Sequence, residues 1–261
     1  MPTYRDEAIV LKKLDYGEAD RIYTLLTRGH GKVGAIAKGV RKGTSRLAPA
    51  LDLFARIDVL LAAGRSLDVI AQAERMPGPR VAADPERTAH AGLVAELAER
   101  VTEDRHPLEG VYELTAVALR DLALEADPRR ATAWFLMAAL DLLGFAPQLH
   151  ACASCERELP PAPAVFSAAA GGLLCDQCAD PSWSRLSVAA IKVLRVMQAR
   201  DTALYARLKL DPELLTEVEE VLEAHLEHHL DRRLNSLRLL RQMRASSSPL
   251  SGEVARRAGG E

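Results

Sequence analysis

Aromatic side chains are scarce in this sequence: two Trp, five Tyr and four Phe among 261 residues. Only Tyr4, Tyr16, Tyr23 and Phe54 fall in the first 80 positions. A nucleic-acid binder built mainly on base stacking, or one with strong sequence discrimination, is therefore not expected. Net charge is equally thin, at −2, which excludes a uniformly basic polyanion binder. Long apolar runs are missing too. The most apolar helical stretch, Ala131 to Phe145, is broken by Asp141 and falls short of the roughly 20 residues a membrane span needs. The opening residues lack the apolar core and cleavage site of a secretory signal, so a soluble, cytoplasmic protein with no membrane partner is expected. There is no Walker A loop and no G-x-S-x-G elbow.

Resolved along the chain, the small net charge conceals an asymmetry. Residues 1–80 hold 14 basic and 9 acidic side chains, a balance of +5, and the remainder holds 20 and 27, a balance of −7. Two parts with different partners are implied, one partner being polyanionic. The apolar fraction of 48% is enough for a substantial core.

The first part reads as five short strands, Ala8–Leu14, Ile22–Arg28, Val33–Val40, Ala55–Ala62 and Leu67–Glu74, several bounded by glycine-containing turns. Five strands in so short a span predict a small barrel. A five-stranded OB-type barrel is the economical choice, and an SH3-like barrel fits almost as well.

After Met76-Pro77-Gly78-Pro79 the pattern turns helical, giving an α+β chain overall. Asp84-Pro85 supplies an N-cap and first-turn proline to a helix with Ala89, Leu93, Leu97 and Val101 on one face. A second helix is predicted from about Leu108 to Glu125. A third opens after Asp127-Pro128 and stops at Gly144. Residues 147–183 lose periodicity, Ser187 caps a helix to about Arg200, and Asp211-Pro212 opens a helical stretch towards Arg244. The predicted division is a barrel at 1–80, a helical domain at 81–150 and 183–244, a metal-binding insertion at 151–182, and a disordered tail at 245–261.

Four cysteines are all the chain has, and they lie within 27 positions: Cys152-x2-Cys155, then Cys175-x2-Cys178. This spacing is that of a tetrahedral Zn²⁺ site. With four protein ligands no position remains for water or substrate, so the expected ion is structural, one per chain. Free thiols or redox pairs are the weaker alternatives.

From Arg21 to Arg46 there are seven cations, Arg21, Arg28, Lys32, Lys38, Arg41, Lys42 and Arg46, and no Asp or Glu. A solvated charged face is the ordinary explanation of a charge run. A run this free of acids, in a chain richer in acids than bases, gives a phosphate-binding surface comparable weight.

Other signals carry less. Gly29-His30-Gly31-Lys32-Val33-Gly34 matches G-x-G-x-x-G, but β-like residues follow it where a dinucleotide fold needs a helix, so a hairpin is expected. Asp15, Glu18 and Asp20 offer an alternative function, a Mg²⁺-dependent nuclease, though a solvated turn explains them more simply. His225 and His229 stand one helical turn apart with His228 beside them, but H-E-x-x-H is absent. Asp211–Asp231 has eight acids and no Lys or Arg, which predicts an exposed acidic helix face. A zinc-ribbon DNA-binding regulator is a third reading, lacking a clear recognition helix.

Four segments carry a resemblance to a known family: YGEADRIYTLLT at Tyr16–Thr27, GKVGAIAKGVRK at Gly31–Lys42, SRLAPALDLF at Ser45–Phe54 and LLGFAPQLHACASC at Leu142–Cys155. The chain resembles the RecO recombination mediators from its start to about Arg244. The resemblance implies an N-terminal OB domain, a helical domain with an embedded zinc module, and function without turnover. It implies binding to single- and double-stranded DNA, annealing of complementary strands, and partnership with RecR and the single-stranded DNA-binding protein, so that RecA loads on coated strands. A cytoplasmic, nucleoid-associated location follows from that. Lys38, Arg41, Lys42 and Arg46 fall in the family's basic segments and become the foremost DNA-contact candidates, followed by Arg21 and Lys32. Cys152, Cys155, Cys175 and Cys178 match the zinc-bearing members. Phe135 stands where the family places an aromatic near the pocket for the single-stranded DNA-binding protein's C-terminal tail, with Leu136 where an acidic residue often follows.

Overall fold

The structure is a computed structural model that describes residues 2–81, 84–230 and 233–247. Alternating burial builds its first part. β1 (Thr3–Tyr16), β2 (Asp20–Thr27), β3 (Gly31–Ala37), β4 (Arg56–Ala62) and β5 (Asp68–Arg75) close into a barrel in the order β1-β2-β3-β5-β4. All neighbours are antiparallel except β3 and β5, which pair in parallel at Ala35–Asp68 and Ile36–Val69. This connectivity is the OB arrangement and sets the SH3-like alternative aside.

Inward positions recur every second residue, as at Ile57, Val59 and Leu61 on β4. They meet Ala8, Val10, Tyr23, Leu25, Val33, Ala35 and Ile70 in one core, where alanines fit the narrow interior. The 14-residue β1 borders both β2 and β4, and a register shift between Val10 and Lys12 bends it around the barrel's corner. The strand expected over Val33–Val40 ends at Ala37, because the chain turns at Gly39 with φ +64°. The G-x-G-x-x-G run is the β2–β3 hairpin, with Thr27 opposite Gly31.

Seven helices occupy the described remainder. α1 (Pro85–Val101) starts as expected, with the Asp84 carboxylate accepting from the Arg87 N–H at 2.9 Å. α2 (Val111–Leu124) follows, and α3 (Pro128–Leu142) ends at the Gly144 turn, where the Phe145 N–H returns to the Leu140 carbonyl at 2.7 Å. The segment that lost periodicity is not structureless: it holds β6 (Ala164–Ser167) and β7 (Gly172–Leu174), which with β8 (Arg185–Leu186) just beyond it form a small sheet in the order β7-β6-β8. These strands are too short to show an alternating pattern. α4 (Val188–Gln198) has the expected Ser187 cap, and a short α5 (Thr202–Arg207) precedes α6 (Pro212–His229).

The helical stretch expected to reach Arg244 breaks after His229, and α7 (Asn235–Ser247) is separate. The tail beyond 247 lies outside the described residues. The acidic face expected on α6 is also only partial. Glu219 and Glu223 are buried, and Arg129 holds Glu219 through two N–H donors, the shorter at 2.6 Å. The buried pair withdraws two of that segment's eight acids from solvent.

Two compact units result. The first holds the described residues through Pro128 together with those from Leu234 onward, and the second holds Arg129–Arg233. In the first unit, α7 packs on α1, and the Glu96 carboxylate accepts the N–H groups of Asn235 and Ser236 at 3.0 and 2.8 Å. A carboxylate on α1 thus satisfies the exposed donors at the start of α7. Among the described residues no helix is long and apolar enough to cross a membrane.

Candidate metal centre and nucleic-acid interface

Two tight turns bring the cysteines together. In the first, the Glu156 N–H returns to the Cys152 carbonyl at 2.9 Å, with Glu156 at φ +62°. In the second, which follows β7 directly, the N–H groups of Cys178 and Ala179 return to the Cys175 carbonyl at 3.0 and 2.9 Å. The β7 strand fixes one turn against the other, because the Ala153 N–H donates to the Leu173 carbonyl at 2.7 Å.

The four sulfurs lie within 4.8 Å of one another, with Cys155 and Cys175 Sγ atoms 3.7 Å apart. Four Zn–S bonds of about 2.3 Å require a tetrahedral edge of about 3.8 Å, so the cluster has the dimensions of such a shell. It is too open for an S–S bond of about 2.05 Å. Burial opposes ionisation of Cys152, but backbone N–H groups of Cys175, Cys155 and Ser154 outweigh it and bring that thiol down to about 6. Hydrogen bonding to Cys155 and Cys175 pushes Cys178 the other way, to about 12. Cys152 and Cys175 are both favoured as thiolates, while Cys178 resists becoming an anion beside them. A divalent cation removes that conflict by displacing the protons. Among the described residues these cysteines are the only group of three or more His, Cys, Asp or Glu side chains placed to share an ion.

The alternative ion sites do not assemble. Asp15 is held by Arg21 at 2.6 Å and by Arg41 at 3.5 Å, and Asp20 accepts the Gly39 N–H at 2.7 Å. His225 is buried, with Nε2 hydrogen-bonded to the Phe145 carbonyl at 2.9 Å, and burial holds its pKa below the usual histidine range.

The seven cations of the basic stretch fall into different environments. Lys38, Lys42 and Arg46 are exposed on the β3–β4 connection, and their side chains have no hydrogen-bond or ion-pair partner among the described residues. Arg41 stands with them and also fastens their loop, donating through its guanidinium to the Gly17 carbonyl at 3.3 Å. Arg21 is drawn to Asp15, and Arg28 bridges Glu7 and Glu113 at 3.2 and 3.0 Å.

Lys32 has a structural task. Its ammonium donates to the Glu99 and Thr102 carbonyls at 3.1 and 2.9 Å, where α1 ends. It thereby neutralises the negative end of that helix and ties it to β3. Its neighbour Gly31 has φ +68°, and a Cβ there would lie 2.4 Å from the His106 carbonyl oxygen, so only glycine admits the 103–107 segment beside the barrel. Sequence spacing carries no sign of this, since the partner carbonyls lie about 70 residues away. In the second unit Phe135 is 3% exposed, its ring within the core.

An OB barrel with a cationic loop, followed by helices and a four-cysteine cluster of metal-binding dimensions, defines a two-part protein of the kind that combines a barrel with a separate metal module. The family model for the N-terminal part of recombination protein O matches residues 1–77, and that for its C-terminal part matches residues 82–238. The DNA repair protein RecO of Roseiflexus sp. (strain RS-1) is 37% identical over 254 residues, 95% of this chain and 89% of its own length. Those of Bifidobacterium longum (strain DJO10A) and Bifidobacterium adolescentis are 38% and 37% identical, over 92% of this chain and 99% and 100% of their own lengths. The chain belongs to the RecO family of DNA repair and recombination proteins.

Proposed function

We propose that this chain is a recombination mediator that acts by binding and without turnover. It grips single- and double-stranded DNA through the barrel loop, anneals complementary strands, and works with RecR to load RecA on strands coated by the single-stranded DNA-binding protein. The observation that carries the DNA-binding part is the cluster of exposed cations Lys38, Lys42 and Arg46, whose side chains have no partner among the described residues, with Arg41 beside them, on one loop of a barrel in a RecO family member. Cations free of internal partners are available to phosphate, and several together screen two strands at once, lowering the repulsion that slows annealing. The four cysteines hold one Zn²⁺ that orders the segment around the small sheet. RecR and the tail of the single-stranded DNA-binding protein are assigned as partners through family membership, and a cytoplasmic, nucleoid-associated location accompanies them.

The test is an annealing assay on complementary strands coated with single-stranded DNA-binding protein, with the product run on a denaturing gel. Accelerated duplex formation with intact strands supports the mediator reading. No acceleration overturns it, and metal-dependent shortening of the strands replaces it with the nuclease.

A further inference from the structure

The core of the barrel leaves one apolar surface uncovered. Leu14 is 65% and Tyr16 56% exposed, and among the described barrel residues they are the only large hydrophobic side chains so open to solvent. Standing two apart on β1, they share a face. The pairing extends that face across the sheet, with Ile22 opposite Leu14 and Ile36 opposite Ile22, both half-buried. Tyr23 and Leu25 point the other way into the core, so the outer set contributes little to closing the barrel.

A second observation says what covers this surface. The cationic loop is fastened to the same hairpin: the Arg41 N–H donates to the Ala19 carbonyl at 2.9 Å, its guanidinium reaches the carbonyl of Gly17 next to Tyr16, and the Gly39 N–H bonds Asp20. Asp15 is neutralised by Arg21 and Arg41, whereas Glu18 at the turn has no partner among the described residues. Phosphates are therefore attracted to the loop and discouraged at the hairpin tip, while the hairpin face is apolar. A single strand has this same division, an anionic backbone on one side and unstacked bases on the other.

We infer that Tyr16, with Leu14 beside it, is the base-stacking platform of a single-strand site whose phosphates lie along Lys38–Arg46. The inference rests on the DNA-binding reading above and adds to it a preference: the bases of a duplex are already stacked internally and gain nothing from the ring.

The test compares binding of a labelled oligothymidylate and a labelled duplex to the full-length chain. Tyr16→Ala is expected to weaken single-strand affinity about tenfold, leave duplex affinity within about twofold, and keep the salt slope, since no phosphate contact is lost. Tyr16→Phe keeps the ring and is expected to bind like the parent. Unchanged single-strand affinity in Tyr16→Ala, equal losses for both DNAs, or a Tyr16→Phe variant as weak as Tyr16→Ala would overturn the platform while parental binding leaves the DNA reading standing. Failure of the parent to bind either DNA sinks that reading and the platform with it. A change of oligomeric mass in Tyr16→Ala at constant affinity assigns the face to a second copy of the chain and also overturns it.

Discussion

Arg105 donates to the fully buried carboxylate of Asp68 at 2.6 Å, joining the segment after α1 to the first residue of β5. The same carboxylate accepts the Tyr4 hydroxyl and the Gly64 N–H, so one side chain ties β1, β5 and the 103–107 segment. Burial alone would raise the Asp68 pKa, but hydrogen bonds from Arg105, Tyr4 and Gly64 outweigh it and hold the group below the usual carboxylate range.

Removing this acid should be costly and pH-dependent. Asp68→Ala strands three donors and is expected to lose about 2–3 kcal/mol at neutral pH, read from urea unfolding. A depressed carboxylate stabilises above its unfolded pKa and loses that contribution as pH falls through its folded one. The gap between parent and variant should therefore be full at pH 7 and shrink below about pH 4. A gap that stays constant down to acid pH would show that the charge is not what stabilises the joint.

The loop cations and Lys32 should separate cleanly. Replacing Lys38, Lys42 and Arg46 together by Ala is expected to leave the unfolding midpoint unchanged, since none of these side chains has a partner among the described residues. Single-strand affinity should drop, and the salt slope should flatten by about 2, near 0.7 for each phosphate contact. Lys32→Ala should do the reverse, losing about 1–2 kcal/mol of stability with the slope nearly intact. An unaltered slope in the triple variant would remove the loop from the DNA interface.

Metal should be stoichiometric and local in effect. Elemental analysis of the purified chain is expected to give about one zinc per molecule, as four cysteine ligands demand. Stripping it with a chelator should expose the 150–180 region to proteolysis while the barrel and its DNA affinity survive. Four freely titrating thiols and no metal in the purified chain would exclude the site.

Glu96 should govern α7. Its hydrogen bonds from Ser236 and Asn235 overcome the effect of burial and keep its pKa below the ordinary glutamate value. Glu96→Ala is expected to speed amide exchange along 235–246 while leaving the barrel protected. Equal exchange in both proteins would mean that α7 is held by its apolar face alone.

What the sequence disclosed and what it hid divide along physical lines. The barrel was legible because strands with one buried face alternate, and Asp84, Ser187 and Asp211 announced their helices by local hydrogen bonding. The cysteine cluster was legible because two-residue spacing is itself the geometry of a chelating turn. Lys32 was not, because an ammonium bound to distant carbonyls reads in sequence like an ammonium free for DNA. Nor was the break between α6 and α7, since Leu234, Leu237 and Leu240 continue a helical period that serves a different unit. Tyr16 counted only as one of few aromatics, because its exposure depends on which way β1 faces.

The return of α7 gives the chain a particular order of assembly. The contacts between Glu96 and the start of α7 span 139 and 140 residues. During synthesis, residues 129–233 are all available to fold before α7 leaves the ribosome, while the N-terminal unit, though translated first, waits for the penultimate segment to complete it. Closing so wide a loop costs little more entropy than a moderate one. The consequence is temporal: a ribosome halted between the end of α2 and Asn235 carries a nascent protein with a complete barrel but with the side of α1 that receives α7 still bare.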